Sequence, residues 1–161
     1  MSPRSQRQFS SGITLVEMVV VVAIIGLLVG ITYPSFSAGL DSVRLASASD
    51  SLVSFLNQAL NRAERRQQVV EVAISKADNT LRLRSTEPGF ERTLELPEGI
   101  SIRAVLPELP QLEEATRRFL LYPGGTAPRL GIEIANRRGE RRVVRVDPIT
   151  GVPQIERMEG P

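Results

Sequence analysis

Hydrophobic and polar positions divide the chain into three rhythms. From Ile13 to Ile31 the residues are apolar almost without a break, and Thr14 and Glu17 are the only polar side chains among them. At about 1.5 Å per helical residue this run approaches the roughly 30 Å hydrocarbon core of a bilayer, so it predicts a membrane-spanning helix over 13–34. Beyond it Phe36, Leu40, Val43, Leu45, Ala48, Leu52, Leu56, Ala59, Leu60 and Ala63 recur at spacings near three and four. Arg44, Ser47, Ser51, Ser54, Asn57, Asn61 and Arg65 fall opposite. This predicts an amphipathic helical half over 35–67 whose apolar stripe packs on whatever follows. Arg62, Arg65 and Arg66 suit a helix C-terminus, so the helix should end near Gln67. Pro34 removes an amide donor and has Gly30 and Gly39 on either side; it predicts a kink, or a break between the two halves.

From Val69 the period changes to two. Gln68–Ser75 places Val70, Val72 and Ile74 on one face, Asp78 and Asn79 supply a turn, and Leu81 and Leu83 alternate with arginines, which together read as a hairpin. Glu91–Leu96 and Ile100–Val105 form a second expected pair about the Pro97-Glu98-Gly99 turn. Leu106–Thr116, with two prolines and Glu108, Glu113 and Glu114, reads as a solvated surface loop. Further strands are expected at Arg118–Tyr122, at Arg129–Ala135 with Leu130, Ile132 and Ile134 inward, at Arg141–Asp147, and from Val152 to about Arg157. The whole is an α+β chain: a long N-terminal helix packed against short antiparallel β-sheets, with the β-rich globular part over 68–161.

Composition narrows the function classes. The 161 residues contain neither Cys nor His, which removes disulfides, thiolate chemistry and the commonest general base and metal ligand. No glycine-rich phosphate loop, metal-spaced cluster or activated nucleophile is present, so the expectation is no enzyme, no cofactor and no metal site. The net charge of +2 does not itself call for a polyanionic partner, and every basic residue except Lys76 is Arg. Residues 1–12 carry Arg4 and Arg7 without an acid, which keeps them cytoplasmic under the positive-inside tendency.

A carboxylate at mid-bilayer costs about 2.5–3.5 kcal/mol on insertion scales, so Glu17 calls for a partner or an interfacial position. The order Gly12, Ile13, Thr14, two aliphatics, Glu17 and an unbroken aliphatic run to Pro34 resembles type IV pilins and type II secretion pseudopilins. The resemblance implies that a prepilin peptidase cuts after Gly12, removes 1–12 as a leader and methylates the new terminus at Ile13, where the family more often has Phe. It also implies that Glu17 pairs with the terminal amine of a neighbouring subunit in a bundle of such helices. Two charges that are each costly alone in an apolar medium are tolerable as a pair. Two other readings fit the apolar run alone: a secretory signal cut among Ser35, Ser37, Ala38 and Gly39, and a plain single-pass anchor. Both leave Glu17 without a role.

The C-terminal tract is similar to the GspH/FimT-like branch of that family through Phe119, Pro123, Gly125, Asp147, Pro148, Thr150 and Gly151. The resemblance implies a structural minor pseudopilin of a type II secretion system, at or near the tip of a periplasmic pseudopilus. Its partners would be other pseudopilins, the prepilin peptidase and the bacterial inner membrane, with the globular domain periplasmic. Arg137, Arg138, Arg141, Arg142 and Arg145 crowd one expected hairpin, where only Glu140 and Asp147 are acidic. Because some FimT-like proteins bind DNA, the alternative is a minor type IV pilin that contacts phosphates through this hairpin. A solvated, arginine-rich edge that discourages aggregation explains the same residues. Alternation is expected to turn Val144 and Val146 inward and leave the arginines in solvent.

Overall fold

In the computed structural model, which describes residues 14–86, 89–109 and 116–158, with the side chains of 31–38, 157 and 158 left out, one α-helix precedes eight strands. The helix, α1, spans Leu15–Arg66. Thr14 caps its start: the Glu17 N–H donates to Thr14 Oγ1 at 3.2 Å and the Met18 N–H to the Thr14 carbonyl at 3.2 Å. Its end is a left-handed stop at Gln67, φ 51°, where the Gln68 N–H donates back to the Ala63 carbonyl at 3.2 Å. That bond is the six-to-one closure of a Schellman turn, with Arg65 and Arg66 complementing the dipole. The chain separates into two compact units, Met1–Ala38 and Gly39–Pro161. The kink expected at Pro34 involves side chains outside those described.

In the first unit every described side chain from Thr14 to Gly30 is exposed. Among the described residues no helix is long and apolar enough to cross a membrane, and the apolar run ends inside 31–34, whose side chains are not described. Gly12 and Ile13 of the expected cleavage point also lie outside the described residues.

In the second unit α1 buries Leu45, Ala48, Leu52, Leu56, Ala59 and Ala63, the stripe that periodicity predicts, together with Phe55, which it does not. Leu40 and Val43 depart from it: they are 54% and 66% exposed, because the strands of this unit cover the helix only from Leu45 onward. Ser49 shares the buried face and satisfies its hydroxyl on the Leu45 carbonyl at 2.7 Å.

Two four-stranded antiparallel sheets complete the core. β1 (Val70–Ser75), β2 (Thr80–Ser85), β3 (Glu91–Glu95) and β5 (Arg117–Leu121) run in the order β3-β2-β1-β5. β4 (Ile100–Leu106), β6 (Gly131–Asn136), β7 (Arg141–Val146) and β8 (Pro153–Met158) run in the order β4-β6-β7-β8. Val72, Ile74, Leu81 and Leu83 of the first sheet join Ile102, Ile132, Ile134 and Val144 of the second in one cluster with the helix stripe.

The first hairpin forms as expected, with Val72 opposite Leu83 and Ile74 opposite Leu81. The second does not. β3 pairs with β2 and β4 with β6, so the Pro97–Gly99 turn passes the chain from one sheet to the other. Asn79 makes this crossing: its carbonyl accepts the Leu96 N–H at 3.1 Å, its Oδ1 accepts the Ile102 N–H at 2.9 Å, and its own φ is 52°. A register shift between Ile102 and Ala104 lets Ile100, Ile102 and Val105 all face inward despite their uneven spacing. β6 is buried along its whole length rather than on one face, since it is a central strand whose outward residues include the small Gly131 and Ala135. Residues 110–115 of the expected surface loop lie outside the described residues.

Candidate functional site

Three places carry the residues to which the sequence assigns a role. At the start of α1, Thr14 and Glu17 stand in the spacing of a capping box, and the first half of that box is made by the Glu17 N–H on Thr14 Oγ1. That bond uses the Glu17 backbone, so it gives a local role to Thr14 rather than to the Glu17 carboxylate. A carboxylate in a helix's first turn gains about 0.3–1 kcal/mol from the macrodipole, less than the cost of burying it in a bilayer. The cap alone does not make Glu17 tolerable in hydrocarbon. Thr14 is the residue that reading by hydrophobicity overlooks, and the T-x-x-E spacing is the signal that finds it.

The β6–β7 hairpin carries Arg137, Arg138, Arg141, Arg142 and Arg145, and the fold supplies acids that local sequence does not. Arg137 Nη2 lies 2.7 Å from Glu98, Arg141 Nη1 3.3 Å from Glu133, and Arg145 Nη2 3.8 Å from Glu156. Each partner comes from a different segment: the turn before β4, β6 and β8. The Glu133–Arg141 pair is the most sheltered, with the Glu133 side chain 11% exposed. Arg138 is exposed at the turn. Arg142 does not lie in solvent as expected: it has the same strand parity as Val144 and Val146 and is half-buried. Asn136 organises the turn, its Oδ1 accepting the N–H groups of Arg138 and Glu140 at 3.0 Å and its Nδ2 donating to Glu140 at 2.8 Å.

The C-terminal turn residues act through backbone geometry. Asp147 Oδ1 accepts the Ile149 N–H at 2.7 Å and the Thr150 N–H at 3.1 Å, which holds its carboxyl below the ordinary carboxylate value. The Gly151 N–H closes the turn on the Asp147 carbonyl at 2.8 Å, with φ 68° at the glycine. At the other turn the Gly125 N–H donates to the Tyr122 carbonyl, and a Cβ at Gly125 would come within 3.1 Å of that oxygen. Gly124, φ 63°, donates its N–H to Glu64 of α1 at 2.9 Å. Phe119 packs against the core from β5. These residues shape loops and hold no chemistry of their own.

Comparison with known families matches residues 7–33 to the prokaryotic N-terminal methylation motif. Over that stretch the chain is type IV pilin-like. No curated protein and no solved structure matches it. The motif marks a prepilin-type, membrane-anchored protein that is processed by a prepilin peptidase and assembles with other pilins. Pilin-like proteins of this kind are structural. The matched stretch contains Gly12, Ile13, Thr14 and Glu17, so the capped start of α1 lies inside the family signature.

Proposed function

We propose that this pilin-like chain is a structural minor pseudopilin of a type II secretion system, incorporated at or near the tip of a periplasmic pseudopilus. The observation that carries the reading is the start of α1, where Thr14 caps a helix that has Glu17 in its first turn and whose apolar side chains are exposed all round in the isolated chain. Such a surface requires cover from outside, first a bilayer and then the helices of neighbouring subunits. In this reading the chain crosses the inner membrane once, the leader is cytoplasmic before cleavage between Gly12 and Ile13, and the globular domain is periplasmic. The assignment to the GspH-like branch, and so to a minor subunit, rests on the turn residues Pro123, Gly125, Asp147, Thr150 and Gly151.

Mass spectrometry of the membrane-extracted protein tests the processing step: the mature chain should begin at Ile13, and a terminus near Ser37 to Gly39 would mean ordinary signal cleavage. Assembly is tested at Glu17. Glu17→Val should leave membrane insertion intact and abolish recruitment into the filament. Glu17→Gln, which keeps the size and polarity of the side chain without its charge, separates two cases: recruitment is lost if a terminal amine needs the charge, and retained if polarity is enough.

The DNA-binding alternative is weaker for a physical reason. With Arg137, Arg141 and Arg145 matched to carboxylates, the hairpin offers less unneutralised charge than its sequence suggests. If duplex DNA bound there nonetheless, affinity would fall with salt by about 0.9 logarithmic units per phosphate neutralised, and Arg138→Gln would lower that slope.

A further inference from the structure

We propose that the exposed face of the last turns of α1, with the two loops beside it, docks an acidic peptide segment of a partner protein anchored by an apolar side chain. The proposal concerns what the globular domain touches and does not depend on how the N-terminus is processed. Two recesses adjoin on this face. One, of about 680 Å³, lies between α1 and the loops 122–128 and 147–152. The other, of about 470 Å³, follows α1 from Ser54 to Arg66. Asn57 and Asn61 line both, so the two form one continuous surface.

Its two ends differ in chemistry. The loop end is mixed: the apolar side chains of Leu60, Ala127, Ile149 and Val152 line it together with Thr126, Thr150 and Glu64. Ile149 is 92% exposed, an unusual position for an isoleucine in a turn this constrained. The Asp147 carboxylate and the Gly151 N–H fix the backbone on both sides of it, so the side chain is presented with little conformational freedom to lose on binding. The helix end is cationic. The Arg62 guanidinium is stacked 3.5 Å from the centroid of the Phe90 ring, which holds it in place, and Arg65 and Arg66 are exposed beside it. The adjacent acid, Glu64, lines the loop recess, where its carboxylate accepts the Gly124 N–H, and the sequence has no acid between Asp50 and Glu64.

Asn57, Gln58 and Asn61 between the two ends are hydrogen-bonding side chains, and asparagine is a poor helix former, so helix stability does not explain them. Amides and guanidiniums along one ridge suit the carboxylates and backbone of a peptide, with Arg65 and Arg66 able to take carboxylates bidentately. A nucleic acid would use the arginines for its phosphates but would gain nothing from Ile149 and Val152. The exposed Ile149 and Val152 therefore favour the peptide.

The test uses the full chain in detergent and fluorescence anisotropy with a labelled peptide of about ten residues alternating Leu and Glu. The peptide should bind, and its Gln-for-Glu counterpart should bind at least tenfold more weakly. Arg65→Gln with Arg66→Gln should weaken binding at least tenfold and remove most of its salt dependence. Ile149→Asp should weaken binding as much while leaving the salt dependence in place. Unchanged circular dichroism is expected for all variants, since none of these residues is buried. Four results would each overturn the proposal: no binding of the Leu-Glu peptide, equal binding by the variants, tighter binding of a duplex DNA probe through the same arginines, or self-association of the chain that these substitutions abolish.

Discussion

The two stretches of α1 on either side of residues 31–38 use hydrophobic residues in opposite ways. From Leu15 to Gly30 they occupy every face of the helix, and all the described side chains are exposed. From Leu45 to Ala63 they occupy one face, and that face is buried. Val22 at 67% exposure and Leu52 at 0% are equally at home in a helix. What separates them is who supplies the cover. The chain's own strands cover the second stretch and leave the described side chains of the first exposed.

The largest expected effect comes from truncating one leucine on each side of that divide. Leu52→Ala should cost about 2–5 kcal/mol in chemical denaturation of the detergent-solubilised chain, because it empties space in a shared core. Leu27→Ala, at a side chain 66% exposed, should stay within about 0.5 kcal/mol in the same measurement. Equal losses would break the comparison, because the first stretch would then be covered by its own chain.

A smaller effect sharpens the self-covered side. Asn79 ties the two sheets together, and Asn79→Ala leaves the amide of the buried Ile102 without its acceptor at a cost of about 1–3 kcal/mol, with added strain from φ 52°. Asn79→Gly should recover the strain but not the hydrogen bond, so it should fall between the two. Hydrogen exchange at the Ile102 amide reads the difference, and protection equal to wild type in Asn79→Gly would mean the bond contributes nothing.

Acid should reach the loop at 147–152 before it reaches the core. The Asp147 carboxyl is lowered from 3.8, first by the Ile149 N–H and then by the Thr150 N–H. Its stabilisation of the turn is therefore complete above pH 3.8 and is lost as pH falls below that value through the folded-state pKa. The amide resonances of Ile149 and Thr150 should shift in that window while those of Leu52 and Val72 do not. The smallest change belongs to the surface: Arg137→Ala breaks an ion pair whose side chains are 61% and 91% exposed, and should cost less than about 1 kcal/mol in thermal denaturation at moderate salt.

Most elements were legible because their signals are local. The three rhythms of apolar positions mark the helix and the strands, and the arginines near Gln67 mark where the helix stops. Asp147 to Gly151 is a turn by its own residues, as the hydrogen bonds from Ile149, Thr150 and Gly151 show. The N-terminal stretch matched to the family motif contains Gly12, Thr14 and Glu17, and that match comes from sequence without any fold at all. Alternation also says which face of a strand is apolar. It does not say which strand lies beside it, because pairing joins residues far apart in the chain. For that reason the β3–β4 hairpin looked natural across Pro97–Gly99, and only the shared core, with Asn79 at the crossing, sent the two strands to different sheets. The charge of the hairpin followed the same rule. Five arginines near one turn are a matter of sequence, but Glu98, Glu133 and Glu156 meet three of them through strand pairing and chain crossing, and electrostatics depends on distance in space.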